Sequence, residues 1–326
     1  MKALTAPFPW FGGKRRVADE VWARLGNVAN FIEPFFGSGA VLLGRPHEPR
    51  VETVSDADHF LCNLWRAIQA DPDSVARWAD WPVNECDLAV RHLWLVTEGR
   101  ARIAACNTDA AHYDAQVAGY WLWGACCWIG SGWCSGEGPW SVVDAQWVKA
   151  GSEGVKRQMP HLGNAGRGVN RQMPQIIWSN GIHSADANVI EWLRAIATRL
   201  RRVRVVCGDW SRVTGASVLH LHGTCGVFLD PPYGVDDRDT VYTHDCRDVA
   251  GQAAEWARTI GQRSDTRVAF CGYDTEQVFP GWTPWAWKAS GGYGSQSDGQ
   301  GRANAGRETI WFSPACLAPR EPDLFG

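Results

Sequence analysis

The sequence predicts an α/β fold whose binding site lies at the carboxyl ends of a buried sheet. Three segments support this prediction: a strand, glycine turn and helix start over residues 31–43, a strand at Val51–Asp56, and a short apolar run at Gly226–Leu229 that ends in Asp230. Short apolar runs bounded by turn residues are typical of buried strands. Open α/β sheets bind ligands at the carboxyl ends of their strands, so the polar residues that follow these strands are candidate site residues.

The first predicted strand leads into a turn that contains two glycines. Glu33, Pro34 and Phe35 come at its end, and Gly37 and Gly39 allow a tight turn and a close approach of the backbone to a ligand. The third glycine of the dinucleotide-binding fingerprint is absent, so the turn does not indicate a phosphate cradle.

The second predicted strand ends in an acid, Asp56. In folds of this type an acid about 20 residues after the glycines holds ribose hydroxyls, and Asp56 fits that position. The alternative interpretation is an N-cap for the helix that begins near Phe60, a role that Asp58 could fill equally well.

The third strand is followed by Asp230, Pro231, Pro232 and Tyr233. Neither proline has a backbone N–H, so the strand cannot continue its ladder through them. An acid, two backbone carbonyls and an aromatic face suit a planar base and its amino group, which predicts methyl transfer to an exocyclic amine of a nucleobase. A surface turn is the alternative, because proline and aspartate both favour turns.

A further motif precedes these three. The segment Pro9–Lys14 places a ring, two glycines and a cation within six positions. Taken in order, Trp10–Lys14, Glu33–Gly39 and Asp230–Tyr233 resemble the Dam-type (D12 class) adenine-specific DNA methyltransferases. Other amino-methyltransferase groups arrange these blocks in a different order. The resemblance covers roughly residues 7–68 and 203–314, including predicted strands at 268–273 and 308–314, and is weak over residues 80–200.

The resemblance implies a Rossmann-like S-adenosylmethionine-dependent methyltransferase core with a mixed sheet and an inserted, mainly helical target-recognition domain. We expect the core to comprise residues 1–78 and 202–326 and the insertion residues 79–201. The implied reaction moves a methyl group from S-adenosylmethionine to the N6 amino group of an adenine in double-stranded DNA, leaving S-adenosylhomocysteine. An N4-cytosine methyltransferase, a catalytically silent DNA-binding relative, and an enzyme acting on RNA or a protein amine are the alternatives.

The family's residue roles transfer to matching positions of this chain. The implied donor-binding residues are Trp10, Lys14, Glu33, Pro34, Phe35, Gly37, Gly39, Asp56 and Asp209. Trp10 and Lys14 would bind the methionine end, with Lys14 near its carboxylate, and Glu33 would hold the amino group. Asp56 would take the ribose hydroxyls. Asp209 would lie near the adenine of the donor, or would simply form a strand-end turn.

The implied chemistry needs no metal, because the sulfonium of the donor is already a good leaving group. Catalysis should then consist of positioning and electrostatics. Asp230 and the carbonyl of Pro231 would accept hydrogen bonds from the amino group, and Tyr233 would stack on the base. The base must leave the duplex to reach this pocket, at a cost of a few kcal/mol.

The predicted DNA contacts lie in a glycine-rich segment with a short repeat. Residues 154–160 recur as residues 168–174, and the predicted DNA-contacting residues are Lys156, Arg157, Arg167, Asn170 and Arg171. Side chains of these types read phosphates and base edges. A flexible surface loop with a chance duplication is the alternative. Upstream, residues 114–129 read as a helix whose aromatic side chains serve mostly in packing.

Composition and charge bound the class of protein. The chain has 326 residues, 45% hydrophobic content and a net charge of −3. Its isoelectric point of about 6.3 does not by itself indicate a nucleic-acid binder. We find no apolar run of about 18 residues and no secretory signal, so we expect a cytoplasmic protein without a membrane partner. We expect buried thiols rather than disulfides or metal sites, in a monomer or a homodimer.

Overall fold

The computed structural model describes residues 4–10, 14–128, 133–134, 140–143, 146–149, 189–220, 222–232, 249–273, 279–287 and 308–318. Seven of its strands form one mixed sheet. In chain order these are β1 (Asn30–Glu33), β2 (Val51–Asp56), β5 (Val203–Cys207), β6 (Cys225–Leu229), β7 (Thr266–Tyr273), β8 (Thr283–Ala286) and β9 (Glu308–Phe312). The remaining two, β3 (Trp140–Val143) and β4 (Gln146–Lys149), form a separate antiparallel hairpin.

The strands of the large sheet lie in the order β5-β2-β1-β6-β7-β9-β8. The first five are parallel, and β9 runs antiparallel to both β7 and β8. The chain therefore moves outward from β1 to β5 on one side and then returns to the other side of β1 with β6. This reversal makes the carboxyl ends of β1 and β6 the switch point of the sheet, where such folds bind ligands. The mixed α/β sheet predicted from the sequence is confirmed.

Ten helical segments accompany the strands. They are α1 (Ala18–Leu25), α2 (Ala40–Leu43), α3 (His59–Ala70), α4 (Pro72–Ala79), α5 (Glu85–Trp94), α6 (Arg100–Arg102), α7 (Ala115–Cys127), α8 (Val189–Leu200), α9 (Ala216–His220) and α10 (Val249–Ile260) within the described ranges. Short 3-10 turns occupy Lys14–Arg16, Ala104–Asn107 and Trp210–Val213, and a π-helical turn occupies Leu95–Gly99.

Side-chain N-caps explain where several helices begin. Asp58, Asp71, Asn84 and Asp114 each accept a hydrogen bond from a backbone N–H of the first turn that follows. Each such cap satisfies a donor that the helix itself leaves unpaired and contributes about 1 kcal/mol. Asp58 thus takes the capping role of α3 that the sequence left open between Asp58 and Asp56.

The sheet buries both of its faces. Successive residues of a strand point to opposite faces, and in β1 Phe31 belongs to the hydrophobic cluster of one face while Ile32 belongs to that of the other. Trp65 of α3 packs in the first cluster, and Ala253 and Ala257 of α10 pack in the second. The strand β6 is buried along its whole length, as its continuous apolar run predicts.

The helix predicted over residues 114–129 is α7, and its tryptophans are buried as expected. Trp121, Trp123 and Trp128 are all less than a tenth exposed. The helix packs against α3 and α4. Asn63 of α3 binds both backbone groups of Asp114, donating to its carbonyl at 3.0 Å and accepting from its N–H at 2.7 Å. The division into a core and an insertion at residues 78/79 and 201/202 stays a prediction.

A buried ion network joins the end of α8 to the sheet. Arg199 places its two terminal nitrogens 2.6 and 2.8 Å from the carboxylate oxygens of Glu52, near the amino end of β2. Arg45 binds the same carboxylate at 3.0 Å. Arg199 therefore has a structural role.

Two strand segments differ from what the sequence indicates. The hairpin β3–β4 lies within a region predicted to be mainly helical. The edge strand β8 was not predicted, because Thr283 and Pro284 are exposed and the segment has no apolar alternation. A proline is compatible with such an edge position. The repeat at residues 154–174 lies outside the described residues.

Candidate functional site

Two acids occupy the switch point of the sheet. Glu33 is the last residue of β1, and Asp230 directly follows β6, its neighbour. Both face the same edge because the carboxyl ends of parallel strands coincide. The side chain of Asp230 is 21% exposed, whereas Glu33 is 2% exposed. Pro231 and Pro232 continue the chain from Asp230 and are buried and half-buried, respectively.

Burial is the dominant influence on Glu33. It raises the pKa of the Glu33 carboxyl well above its ordinary value, and the nearby Asp230 adds to this effect. The backbone N–H of Leu42 donates to Oε2 of Glu33 at 3.2 Å and acts in the opposite direction. Glu33 is thus a desolvated acceptor held against the start of α2.

The glycine turn after β1 is tight and closely packed. Gly37 and Gly39 have φ values of +47° and +63°, which favour glycine. A β-carbon at position 37 would lie 2.6 Å from Nε1 of Trp10. The indole of Trp65 donates to the carbonyl of Gly37 at 2.9 Å. The Trp10 ring therefore lies over the turn because residue 37 has no side chain.

Asp56 ties the end of β2 to this turn. Its Oδ2 accepts from the N–H of Gly37 at 2.9 Å, and its Oδ1 accepts from the N–H of Asp58 at 2.9 Å. Burial raises the pKa of Asp56 to about 7, although both backbone N–H groups act to lower it. Asp56 is therefore a half-buried carboxylate that changes its charge near neutral pH.

Two thiols, those of Cys62 and Cys207, lie next to Asp56, and the sequence did not indicate them. Cys207 is the register partner of Asp56 in the neighbouring strand β5. The thiol of Cys62 donates to the carbonyl of Asp56 at 3.2 Å. Hydrogen bonds from Cys62 and His59 lower the pKa of Cys207.

Lys14 brings three distant segments together. Its Nζ lies 3.2 Å from Oδ1 of Asp230 and 3.1 Å from Oε2 of Glu308, the first residue of β9. It also lies 5.2 Å from the ring centre of Trp287. Lys14 is 8% exposed. Lys14 was expected near the carboxylate of the donor, and Asp230 was expected to face the acceptor. In the structure these two side chains contact each other.

Glu308 is the site residue that sequence reasoning missed. Its signal in the sequence is a charged residue at the start of a mostly apolar strand, Glu308–Phe312. In the structure it is 7% exposed. An acid in such a position needs a partner, because an unpaired buried charge is costly.

Asp209 caps a turn at the end of β5. Its Oδ1 accepts from the backbone N–H of Ser211 at 2.9 Å, and its side chain is exposed. The next residue, Trp210, stacks on Phe35 with ring centres 6.1 Å apart. Pro34 contributes its carbonyl to the hydroxyl of Ser55 at 3.0 Å. Phe35 and Trp210 thus form one wall between the ends of β1 and β5.

Six of the predicted site residues lie outside the described residues: Tyr233, Lys156, Arg157, Arg167, Asn170 and Arg171. Within the described ranges, we find no group of three histidine, cysteine, aspartate or glutamate side chains that could hold a metal ion. None of the helices in those ranges is both long and apolar enough to cross a membrane.

Comparison with known proteins bears on the first part of the chain. A search of curated proteins gave no match. The match that was found covers residues 10–81, which hold Trp10, Lys14, Glu33, the glycine turn and Asp56. It confirms the resemblance predicted from the sequence: over residues 10–81 this chain matches the D12 class N6 adenine-specific DNA methyltransferase family.

Proposed function

We propose that this chain transfers a methyl group from S-adenosylmethionine to the N6 amino group of an adenine flipped out of duplex DNA. The observation that carries the proposal is the convergence of Lys14, Glu33 and Asp230 at the switch point of the sheet. Two of these three residues lie in the segment that matches the D12 class family, which acts on adenine N6 in DNA. Asp230 comes from β6, far outside that segment.

The donor set at the ends of β1 and β2 fits S-adenosylmethionine. Glu33 and Asp56 are acceptors, and the molecule carries an amino group and ribose hydroxyls that need acceptors. Asp56 already fixes the glycine turn, so a ligand held by Asp56 would lie against Gly37. We assign the pocket to Trp10, Lys14, Glu33, Pro34, Phe35, Gly37, Gly39, Asp56 and Asp209.

The acceptor side of the site is built from Asp230 and the residues that follow it. When bound, S-adenosylmethionine supplies a methyl group on a sulfonium, which is a good leaving group. Asp230 and the carbonyl of Pro231 accept hydrogen bonds from the amino group and direct its lone pair toward the methyl group. We assign stacking on the base to Tyr233, next to Pro232.

We assign recognition of the duplex to residues 79–201. The glycine-rich repeat there carries the side-chain types that contact phosphates and base edges: Lys156, Arg157, Arg167, Asn170 and Arg171. An adenine amino group inside a stacked pair is out of reach of Asp230, so the target base must leave the helix.

Replacing Asp230 tests whether this residue acts on the acceptor base and not on binding of the donor. Asp230→Ala should reduce methylation of duplex DNA by at least about 100-fold, because the acceptor loses an oriented hydrogen-bond partner. Binding of S-adenosylmethionine, measured by calorimetry, should stay within about threefold of the parent protein.

The matched variant is Glu33→Gln, which alters the donor side of the same switch point. It should weaken binding of S-adenosylmethionine clearly more than Asp230→Ala does. Equal loss of donor binding in both variants would remove Asp230 from the acceptor role.

A further inference from the structure

We propose that Glu308 is a positioning residue for methyl transfer, holding Lys14 so that Lys14 fixes the carboxylate of Asp230. This inference rests on the proposed function. It concerns a residue in the last described strand, far in sequence from the segment that matches the methyltransferase family.

The geometry makes Lys14 a bridge. Its ammonium lies 3.1 Å from Oε2 of Glu308 and 3.2 Å from Oδ1 of Asp230. The side chains of Lys14 and Glu308 are 8% and 9% exposed, whereas that of Asp230 is 21% exposed. Lys14 and Glu308 are thus shielded from water, whereas Asp230, at the carboxyl end of β6, is partly exposed.

The two carboxylates differ in how firmly their backbones are held. Glu308 lies within the sheet, where β9 pairs with both β7 and β8 and Glu308 is opposite Tyr273. Asp230 lies one residue beyond the end of β6, where two prolines end the ladder. Because the backbone of Glu308 is held within the sheet, Lys14 bound to Glu308 can orient the carboxylate of Asp230 at the end of β6.

Charge balance supports the same assignment. A shielded ammonium needs a paired carboxylate, since burial of an unpaired charge is costly. With Glu308 present, Lys14 shares its interaction between two acids. Without Glu308, Asp230 would be its remaining partner in this cluster of three, and a tighter pair there would compete with the amino group for the same oxygens.

A small displacement of Asp230 should be expensive for the reaction. Misplacement of a catalytic group by about 1 Å can cost on the order of 100-fold in rate. We therefore expect Glu308→Gln to lower kcat by roughly 10- to 100-fold. The KM for S-adenosylmethionine should change less than kcat, because the Glu308→Gln enzyme keeps the Lys14 ammonium and the Glu33 and Asp56 acceptors of the donor pocket.

A double-mutant cycle separates action through Lys14 from a general structural effect. If Glu308 acts through Lys14, adding Glu308→Gln to Lys14→Met should not lower kcat further. Multiplicative losses in the double variant would overturn the inference, as would a Glu308→Gln enzyme with the kcat of the parent protein.

The matched control is Glu52→Gln, the same substitution at another buried carboxylate that holds cations. Glu52 binds Arg45 and Arg199 near the amino end of β2, and its charge also acts on Glu33. Its loss should lower stability and change donor affinity through Glu33, yet leave kcat per folded molecule at saturating S-adenosylmethionine unchanged. A kcat as low as that of Glu308→Gln would show that any buried ion pair has this effect, which contradicts a positioning role.

Urea unfolding of the same Lys14 and Glu308 variants provides a readout that does not depend on methylation. The cycle should show coupling of at least about tenfold in the unfolding equilibrium constant. No coupling would overturn the inference whatever the enzyme assay shows. A parent protein that shows this coupling but methylates no DNA would instead overturn the proposed function, so the two failures are distinguishable.

Discussion

At the scale of single residues, the raised pKa of Asp56 leads us to expect that donor binding depends on pH. Burial raises its pKa to about 7, so the carboxylate is mostly protonated at pH 6 and mostly ionised at pH 8. Only the ionised form can accept both ribose hydroxyls while also accepting from Gly37 and Asp58. Affinity for S-adenosylmethionine should therefore rise by about tenfold from pH 6 to pH 8 through Asp56, as measured by calorimetry.

The control for this prediction is Asp56→Asn, which cannot ionise. The amino group of the donor and the Glu33 carboxyl are the same in both experiments, so the difference between the two pH profiles isolates Asp56. Parallel profiles for the variant and the parent would contradict the assignment of Asp56 to the donor.

We expect replacement of Gly37 by alanine to lower the stability of the protein. Gly37→Ala forces a β-carbon to within 2.6 Å of the Trp10 indole at a φ of +47°. A left-handed backbone alone costs an alanine about 1–2 kcal/mol, and displacement of Trp10 adds to it. Urea unfolding should therefore show a loss of at least about 1 kcal/mol.

The comparison variant for Gly37→Ala is Gly215→Ala. An added β-carbon at position 215 meets nothing within 4 Å. This variant should stay within about 0.5 kcal/mol of the parent protein. Similar losses at both positions would mean that the packing of Trp10 on the turn contributes nothing.

Sequence reasoning at this scale reached most of the candidate site but not all of its pairings. Local patterns were enough to single out Asp56 and Asp230, because each lies at the end of a recognisable strand, and the family resemblance added Glu33. The contact between Lys14 and Glu308 joins residues 294 positions apart in sequence. Only the sheet order brings them together, so no local pattern could have indicated it.

At the scale of elements, Asn63 should control how α7 attaches to α3. Its amide binds both the N–H and the carbonyl of Asp114, the residue that caps α7. Asn63→Ala leaves two backbone groups without these partners, which should cost about 2–3 kcal/mol in urea unfolding.

Asn84→Ala is a suitable reference for Asn63→Ala, because Asn84 caps α5 at an exposed position. Loss of an ordinary cap costs about 1 kcal/mol. A cost at Asn63 no larger than that at Asn84 would mean that the attachment of α7 does not depend on this amide.

Helices and buried strands were predictable where apolar residues are dense and a cap or turn residue bounds them. The helix α7 shows this, since apolar residues lie all around it, Asp114 provides its cap, and Trp121 and Trp123 are buried. The edge strand β8 was missed because its side chains are largely exposed and, among the residues that the structure describes, it pairs only with β9. Edge strands carry little hydrophobic signal, so their existence depends on a partner that lies elsewhere in the chain.

At the scale of the whole molecule, the proposed function requires that the repeat at residues 154–174 contact DNA. Neutralising Lys156, Arg157 and Arg171 together should flatten the plot of log binding constant against log salt by up to about three units of slope. Neutralising Arg50 and Arg263, which are exposed and lie outside residues 79–201, should leave the slope unchanged. Equal slopes for both triple and double variants would remove the repeat from the interface.

The fold as a whole explains why a family match over residues 10–81 points to a site that includes residue 230. The sheet places β6 directly beside β1, so the acid after β6 faces the motifs of the matched segment. The sequence was enough to predict that the motifs at the ends of these strands come together, because the carboxyl ends of parallel strands lie at the same edge of the sheet.

The measurement that tests the central claim most directly is identification of the methylated nucleoside. The purified protein is incubated with tritiated S-adenosylmethionine and unmethylated duplex DNA, the DNA is hydrolysed, and the labelled nucleoside is identified by mass. We predict label in N6-methyladenine, and at least about 100-fold less of it with Asp230→Ala. Label in N4-methylcytosine would contradict the assigned base, and no label in any nucleoside would contradict the proposed function.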